Sequence, residues 1–384
     1  MVFAITNAHI LCSNNKLLGG HCLVFDSGHI QAICVQSDVP ADAVCIDAEN
    51  CTLLPGFVDL QVNGGGGHLF NDDPSVETIR KIAKAHYQFG TTSMLPTLIS
   101  DDLTKVEQGI TAVNQAIAAE VPGVVGIHIE GPFLNLDRKG IHDGSKIRRL
   151  DDKGLASLKP LDCGKMLVTL APECMPRAHL RTLADQGIVL CAGHTNASFD
   201  ELMAAFENGV TGVTHLYNAM NPITSRAPGG VGAALFNQDC WCCVIVDGAH
   251  VHPATISLAM RAKGRADKFV LVTDAMPTVG QQEGSFILNG EVIIADGDAC
   301  FNPDRALAGS NLNMAKAVKN ARDLLNLDLA TASRMASINP AQLMGLDQEF
   351  GCLKPGMKAN FVAINEDGVV QRTWIHGKVV WAAD

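Results

Sequence analysis

The sequence contains no apolar run of about 18 residues, the length that a helix needs to cross the hydrocarbon core of a bilayer. Its first residues, MVFAITNAHILCSNNKLL, also lack the basic start, the short apolar stretch and the small-residue cleavage site of a secretory signal. Together these absences predict a soluble, cytoplasmic protein with no membrane partner.

Basic residues are in deficit. The 29 Lys and Arg residues are outnumbered by 40 Asp and Glu residues, which gives a formal net charge of −11. Proteins hold nucleic acids and anionic membranes by neutralising phosphates with Lys and Arg, so this balance argues against both classes of partner. The charge of an anionic ligand would have to be met locally, inside its site.

The cysteines lack the pattern of a disulfide scaffold. There are 13 of them, an odd number, scattered singly along β-rich segments, as at Cys12, Cys34 and Cys191. Cys240 and Cys243 have CxxC spacing, but no second pair of cysteines completes a zinc site. We interpret most of the cysteines as small buried hydrophobic residues.

The sequence does contain enough apolar residues for a large core, with 47% hydrophobic against 18% charged residues. Both ends of the chain alternate short β-rich runs with turns. The middle instead alternates apolar runs with amphipathic helical patterns, for example between Leu103 and Ile117. Such alternation favours a parallel sheet closed by helices.

These patterns predict an α/β fold in two parts. A (β/α)₈, TIM-like barrel takes about 250 residues, and we assign it to residues 55–343, with a β-rich insertion near 283–303. Residues 1–54 plus 344–384 are predicted to form a small β-sandwich domain, because the two ends resemble each other and differ from the middle.

Four apolar runs of the middle region each end in a side chain that can bind a metal or carry a proton. They are VVGIHIEGP with Glu130, IVLCAGHT with His194, GVTHLYNAM with His215 and FVLVTDAMP with Asp274. Parallel strands deliver their last side chains to the same end of a sheet, so the four segments are expected to build one polar site. One Glu and two His suit a divalent cation, which leaves Asp274 as a base.

Longer strings occur along the chain in a fixed order: PGFVDLQVNG, HIEGPF, KGIH, GHTNAS, THLYNAM, VTDAM, LAGS, NPAQLMGL and GCLKPGMKANFV. On these strings the chain resembles the amidohydrolase superfamily nearly end to end, and most closely its N-acetylglucosamine-6-phosphate deacetylases. The resemblance implies removal of the acetyl group from N-acetyl-D-glucosamine 6-phosphate, giving D-glucosamine 6-phosphate and acetate. It further implies a homodimer that acts in amino-sugar catabolism and cell-wall recycling.

One motif departs from the wider superfamily. Many amidohydrolases carry His-x-His after the first barrel strand, where two imidazoles bind one metal of a pair, whereas this chain has QVN at 61–63. Amides are poorer zinc ligands than imidazoles, so the motif indicates one divalent ion per subunit, held by Glu130, His194 and His215. Zn²⁺ is expected, with Fe²⁺, Ni²⁺ and Co²⁺ as alternatives. Gln61 is a candidate for a weak contact with the metal or its water.

Amide hydrolysis at neutral pH needs an activated water and a group that protonates the leaving nitrogen. A bound divalent ion can lower the pKa of water from 15.7 to about 7, and three protein ligands leave one coordination position open. Asp274 is the candidate for both proton transfers. The resemblance assigns His142, in the KGIH string, to the negative charge that develops on the carbonyl oxygen.

Specificity is expected from residues that bind the phosphorylated sugar. Arg226 can make forked hydrogen bonds to phosphate oxygens, and His250 can add a donor. Relatives are usually dimers in which part of this phosphate site crosses the subunit boundary. The resemblance assigns further substrate contacts to Ile141, Asn218, Ala219, Asp247, Leu307, Ala308 and Gly309.

Structural interpretations stand beside these functional ones. A His at a strand end is often a hydrogen-bonded structural residue, Asp274 is placed to cap a following helix, and Arg226 is also interpretable as a solvated loop charge. Two other functions remain open as well: the same chemistry on N-acetylgalactosamine 6-phosphate, and a non-catalytic amidohydrolase-like scaffold. Such scaffolds commonly lose metal ligands or the aspartate, all of which this chain has.

Overall fold

The protein is represented by a computed structural model that describes residues 1–281 and 284–383. Position 283, at the start of the predicted insertion, and position 384, at the end of the predicted small domain, lie outside the described residues. The chain begins with five strands of a small sheet: β1 (Phe3–Leu11), β2 (Leu17–Asp26), β3 (His29–Val35), β4 (Val44–Asp47) and β5 (Thr52–Pro55).

Eight parallel strands, each paired with the next one along the chain, form a barrel. A short hairpin follows the first of them. In chain order these elements are β6 (Phe57–Val62), the hairpin β7 (Gly64–Gly65) and β8 (His68–Leu69), β9 (Thr91–Ile99), β10 (Gly126–Glu130), β11 (Lys165–Leu170), β12 (Val189–Ala192), β13 (Val210–Val213), β14 (Trp241–Val244) and β15 (Phe269–Leu271).

The first and last barrel strands meet through one bridge and a buried polar contact. Val62 forms a single parallel bridge with Ala275. The buried carboxylate of Asp59 accepts hydrogen bonds from the backbone N–H groups of Gln61 and Thr273, and from the Thr273 hydroxyl. A side chain of β6 therefore fixes the path of the segment that follows β15.

Helices follow most barrel strands and cover the outside of the barrel. The helical pattern predicted between Leu103 and Ile117 is present, and its helix buries Val106, Ile110 and Val113 against the strands. The helices are α1 (Val76–Tyr87), α2 (Leu103–Ala118), α3 (Asp152–Ser157), α4 (Arg177–Asp185), α5 (Phe199–Phe206), α6 (Gly229–Phe236), α7 (Pro253–Lys263), α8 (Met314–Leu325), α9 (Leu329–Ala336) and α10 (Ile338–Leu343).

A β-rich insertion separates the last barrel strand from α8. Its antiparallel sheet packs Leu288, Ile293 and Cys300 together with Ile99 and Met276 at the mouth of the barrel, so the insertion covers one side of that mouth. The strands of the insertion are β16 (Ser285–Leu288), β17 (Glu291–Asp296), β18 (Ala299–Phe301) and β19 (Leu307–Ser310).

The tail of the chain returns to the sheet in which the chain began. The strand that starts at Phe361 pairs antiparallel with β5, and Phe25, Phe361 and Trp374 lie in the hydrophobic core of this small domain. The predicted (β/α)₈ barrel with a small sheet domain from both termini is thus confirmed. In the described residues, every helix is too short or too polar to span a bilayer. The tail strands are β20 (Phe361–Ile364), β21 (Val370–Ile375) and β22 (Lys378–Ala382).

Candidate active site and metal centre

A cavity of about 220 Å³ opens at the carboxyl ends of the barrel strands. Glu130 is the last residue of β10, while His194 and His215 each follow the end of a strand by two residues. Asp274 lies three residues beyond β15. All four side chains line this one cavity, as expected for the ends of parallel strands.

Three ligand atoms converge at the floor of the cavity. The Nε2 atom of His215 lies 3.0 Å from Glu130 Oε1 and 3.1 Å from His194 Nε2, and His194 Nε2 lies 3.4 Å from the same carboxylate oxygen. Ligand atoms bound tetrahedrally to Zn²⁺ at about 2.0 Å are separated by roughly 3.3 Å. The three side chains, all buried, therefore fit a single divalent ion.

The ring of His194 has its orientation fixed from outside the cavity. Its Nδ1 lies 2.8 Å from the backbone carbonyl oxygen of Arg138, so Nδ1 carries the proton and donates it to that oxygen. A neutral ring then turns an unprotonated Nε2 toward His215 and Glu130. Acceptor atoms facing one another at this distance are unfavourable unless a cation or a shared proton lies between them, which supports the metal assignment.

The backbone at these strand ends is strained. His194, His215 and Asp274 have φ values of +48°, +32° and +55°, in the left-handed region that residues with a Cβ seldom adopt. Such conformations persist where the surrounding structure over-determines them, and they cluster at functional sites. Three of the four strand-end residues share this feature.

The buried carboxyl group of Glu130 is negatively charged. Burial alone would raise the pKa of this carboxyl group, but the ring nitrogens of His194 and His215 favour its charged form, so its pKa lies well below the ordinary value. Glu130 is therefore an anion beside two imidazoles. A divalent cation would be attracted to this arrangement.

Asp274 is held by two amide side chains. Its Oδ1 accepts hydrogen bonds from Asn63 Nδ2 at 2.7 Å and from Gln61 Nε2 at 3.0 Å. Burial and the charge of Glu130 raise the pKa of Asp274 to about 6. No helix follows directly in the described residues after 274, so the structure does not support the helix-cap interpretation of this residue.

Gln61 also donates to both carboxylate oxygens of Glu130, at 3.1 and 3.0 Å. In this orientation its amide nitrogen, and not its oxygen, faces the site. The side chain links the metal-binding carboxylate to Asp274. Its expected weak contact with a metal or water would require the opposite amide orientation.

His142 reaches the cavity from the loop after β10. Its Nδ1 accepts a hydrogen bond from the backbone N–H of Ser100 at 3.2 Å, and it lies 2.7 Å from the Ser100 hydroxyl. Because Nδ1 is an acceptor, the proton of the neutral ring is on Nε2. Burial and the neighbouring His194 lower the pKa of His142 to about 3, so the ring is a neutral donor.

The substrate residues predicted from the resemblance separate into two groups. His250 lines the cavity, and its Nδ1 lies 2.5 Å from the carboxylate of Asp247, which also accepts the backbone N–H of His250. Asp247 therefore lies behind His250 and orients its ring, instead of lining the cavity itself. The other predicted residues that line the cavity are Ile141, Asn218, Ala219, Leu307 and Gly309.

Two further predicted substrate residues lie away from the cavity wall. Ala308 is fully buried in the hydrophobic cluster beneath the insertion, because its side chain points away from the cavity that Leu307 and Gly309 line. Arg226 is exposed on the loop before α6 and does not line the cavity of its own chain.

Sequence reasoning missed residues that act on the predicted ones. Asn63 lies inside the QVN motif, and Ser100 directly follows β9, so the strand-end rule applied to every barrel strand would have marked both. The carbonyl of Arg138 has no signal in the sequence, since any residue type supplies one.

The model of the amidohydrolase family matches residues 52–380 of this chain. The chain belongs to the amidohydrolase family. This amidohydrolase is 38% identical to an N-acetylgalactosamine-6-phosphate deacetylase of Shewanella sp. (strain ANA-3), with 98% of this chain and 95% of the relative covered. It is 30% identical to an N-acetylglucosamine-6-phosphate deacetylase of Haemophilus influenzae, with 98% and 99% covered.

Solved structures agree with these relatives. The amidohydrolase matches the N-acetylglucosamine-6-phosphate deacetylase from Pasteurella multocida with a TM-score of 0.94 and 33% identity, over 100% of both chains. A mutant of the Mycobacterium smegmatis deacetylase, in complex with N-acetyl-D-glucosamine-6-phosphate, matches with a TM-score of 0.88 and 28% identity over 99% of both chains. The resemblance predicted from the sequence is confirmed.

Proposed function

We propose that this amidohydrolase is a metal-dependent deacetylase of phosphorylated N-acetyl amino sugars. Its substrate is N-acetyl-D-glucosamine 6-phosphate, and its products are D-glucosamine 6-phosphate and acetate, in amino-sugar catabolism and cell-wall recycling in the cytoplasm. The observation that carries this proposal is the convergence of Glu130, His194 and His215 beside Asp274 in one buried cavity. The names of full-length relatives support the substrate class.

Glu130, His194 and His215 would hold one divalent ion, with Zn²⁺ as our first choice and Fe²⁺, Ni²⁺ or Co²⁺ as ions with similar ligand preferences. When bound, such an ion supplies Lewis acidity and makes water a nucleophile near neutral pH. His194 keeps Nε2 available as a ligand atom because its Nδ1 proton is engaged by a backbone carbonyl.

Asp274 moves the proton in this proposal. Asn63 and Gln61 occupy its Oδ1, so Oδ2 is the oxygen available to accept a proton at the cavity. Protonated Asp274 then donates to the leaving nitrogen, because an amine departs far more easily than an amide anion. A pKa of about 6 suits a group that must both take up and release a proton near neutral pH.

His142 stabilises the oxyanion. Its neutral ring keeps Nε2–H as a donor, since Nδ1 is engaged by Ser100. A fixed donor aimed at the carbonyl oxygen strengthens as negative charge develops there. The same arrangement stabilises the ground-state carbonyl less, which is the condition for acceleration.

The sugar phosphate is bound at the other side of the cavity. His250, with its ring set by Asp247, donates to the phosphate, while Asn218, Ala219 and the residues beside them contact the sugar. We assign Arg226 to the phosphate site of a neighbouring subunit in a homodimer. Its exposure, away from its own cavity, supports this assignment.

A second candidate substrate is N-acetylgalactosamine 6-phosphate, which differs in the configuration of one hydroxyl group. The relative from Shewanella, named for that substrate, shares 38% identity, compared with 30% for the relative from Haemophilus influenzae named for the glucosamine compound. The reaction and the roles of the residues would be the same.

The test measures acetate release by purified protein from both phosphorylated epimers and from unphosphorylated N-acetylglucosamine. We expect turnover of N-acetylglucosamine 6-phosphate with the higher kcat/KM, weak turnover of the unphosphorylated sugar, and loss of activity with a chelator. A higher kcat/KM for the galactosamine epimer would select the second candidate. Absence of acetate from all three compounds in the metal-loaded protein would overturn the proposal.

A further inference from the structure

Glu173 occupies a position behind the metal site that the mechanism above does not use. It follows β11 in a short turn and is partly buried. Its Oε1 accepts hydrogen bonds from Asn135 Nδ2 at 2.9 Å and from the backbone N–H of Asn196 at 2.6 Å. Its Oε2 accepts the hydroxyl of Thr195 at 2.5 Å. One carboxylate thus holds three donors from two different loops.

Both of these loops act directly on His194. In the first loop, the backbone N–H of Asn135 donates to the His194 carbonyl at 2.9 Å, and the Arg138 carbonyl accepts the His194 Nδ1 proton at 2.8 Å. In the second loop, Thr195 and Asn196 directly follow His194. Arg138 also links the first loop to the second directly, because its Nε donates a hydrogen bond to Asn196 Oδ1 at 2.7 Å.

His194 depends on neighbouring contacts for its conformation. Its backbone is in the left-handed region, with φ +48°, which costs free energy that neighbouring contacts must offset. If the two loops separate, the Arg138 carbonyl moves away from Nδ1, and the ring loses both its tautomer and its direction. Hydrogen bonds to an ionised carboxylate are among the stronger ones in proteins, so Glu173 is well suited to keep the loops together.

From these contacts we propose that Glu173 is a positioning residue that sets metal affinity by holding His194 in its ligating orientation. The inference rests on the proposed function in one respect, namely that His194 is a metal ligand. Glu173 itself contacts neither metal nor substrate. Loss of a group that orients a metal-binding imidazole typically weakens metal affinity by about 10- to 100-fold, and that is the effect we expect.

The experiment compares Glu173→Gln with Glu201→Gln. Glu201 is a carboxylate of the same stretch of chain that accepts the backbone N–H and hydroxyl of Ser198 in the capping box of α5. It is exposed, and within the described residues it makes no hydrogen bond to Asn135, Arg138, Thr195 or Asn196. Metal-free protein is titrated with Zn²⁺ against a competing chelator, and the melting temperature of each metal-free variant is recorded.

We expect Glu173→Gln to bind Zn²⁺ about 10- to 100-fold more weakly than the wild type, and Glu201→Gln to bind within about twofold of it. The melting temperatures of the metal-free proteins should remain close, and excess Zn²⁺ should restore acetate release. A Glu173→Gln protein that binds Zn²⁺ as tightly as the wild type would overturn the inference.

A second variant keeps the test decisive if Glu173→Gln does not fold. Asn135→Asp replaces the Nδ2 donor to Glu173 by an oxygen, keeps an Oδ1 atom that can accept the backbone N–H of Asp137, and leaves the Glu173 carboxylate with Thr195 and Asn196. A several-fold loss of Zn²⁺ affinity would support the inference, and unchanged affinity would overturn it. Failure of the wild type itself to bind Zn²⁺ would instead contradict the proposed metal centre, so the two failures are distinguishable.

Discussion

The cavity has two ends that are built differently. The reaction end consists of Glu130, His194 and His215, which are buried, and Asp274, which is partly buried; all four are located where barrel strands finish. The proposed recognition end consists of loop residues, among which Asn218 and His250 are half-buried, while Arg226, which we assign to the cavity of a neighbouring subunit, is exposed. Strand pairing fixes the reaction end, whereas the recognition end depends on loop paths. Substitutions at the reaction end should therefore lower kcat, and those at the recognition end should raise KM.

The largest effect is expected from Asp274→Asn. An amide can satisfy the donors Asn63 and Gln61 with its oxygen, so the site should keep its shape, but the amide cannot accept the proton. We expect kcat to fall by about 10³-fold or more, with metal content unchanged. Acetate-release kinetics and elemental analysis of the same preparation check this. A fall of less than tenfold would remove Asp274 from the proton transfers.

His142→Phe should have the next largest effect. The substitution keeps an aromatic ring but removes the Nε2–H donor, and loss of one oxyanion donor costs about 10²- to 10³-fold in kcat. KM should change by no more than a few-fold, because the donor acts mainly on the developing charge. If KM rose while kcat stayed constant, His142 would belong to the recognition end.

At the recognition end, His250→Asn should raise KM for the phosphorylated sugar by about 10- to 150-fold, since one hydrogen bond to a charged group contributes about 1.5–3 kcal/mol. His252→Asn is the matched control, because His252 is exposed and caps α7 through Ala254, a role that Asn fills equally well. If His250→Asn lowered kcat and left KM unchanged, His250 would belong to the reaction end, and the division between the two ends would be wrong.

The smallest effect is the pH dependence of the reaction end. Asp274 must be ionised to accept a proton, and its pKa is raised to about 6, so activity is present above this pH and is lost as the pH falls through it. A cation beside Glu130 would draw that pKa lower. We expect kcat/KM to fall about tenfold per pH unit on an acidic limb at pH 6 or below. A kcat/KM that stays constant down to pH 4 would show that ionisation of Asp274 does not control the reaction.

The reaction end could be predicted from the sequence because one rule covers it. Glu130, His194, His215 and Asp274 each end an apolar run, and parallel strands in a barrel bring such ends together whatever lies between them. Ser100 follows the same rule and was missed only because a lone Ser carries little chemical signal. The barrel itself was also predictable, because apolar strand runs and amphipathic helical patterns alternate regularly along the middle of the chain.

The recognition end and the supporting contacts could not be predicted in this way. His142 and His250 lie in loops, so only the family resemblance singled them out. Asp247 was assigned to the sugar but lies behind His250, because two carboxylate oxygens and three nearby donors satisfy each other locally. Glu173 lies three residues beyond β11, as Asp274 does beyond β15, so the strand-end rule would have marked it; its partners could not be predicted, because they come from loops whose paths the sequence pattern does not specify.

The proposed reaction depends on a single divalent ion held by Glu130, His194 and His215. Elemental analysis of the wild type and of His215→Asn, each purified with no added metal salt and assayed for acetate release in parallel, tests this dependence most directly. We expect one divalent ion per wild-type chain, and loss of both ion and activity in the variant. An active His215→Asn protein that keeps its ion would contradict this expectation.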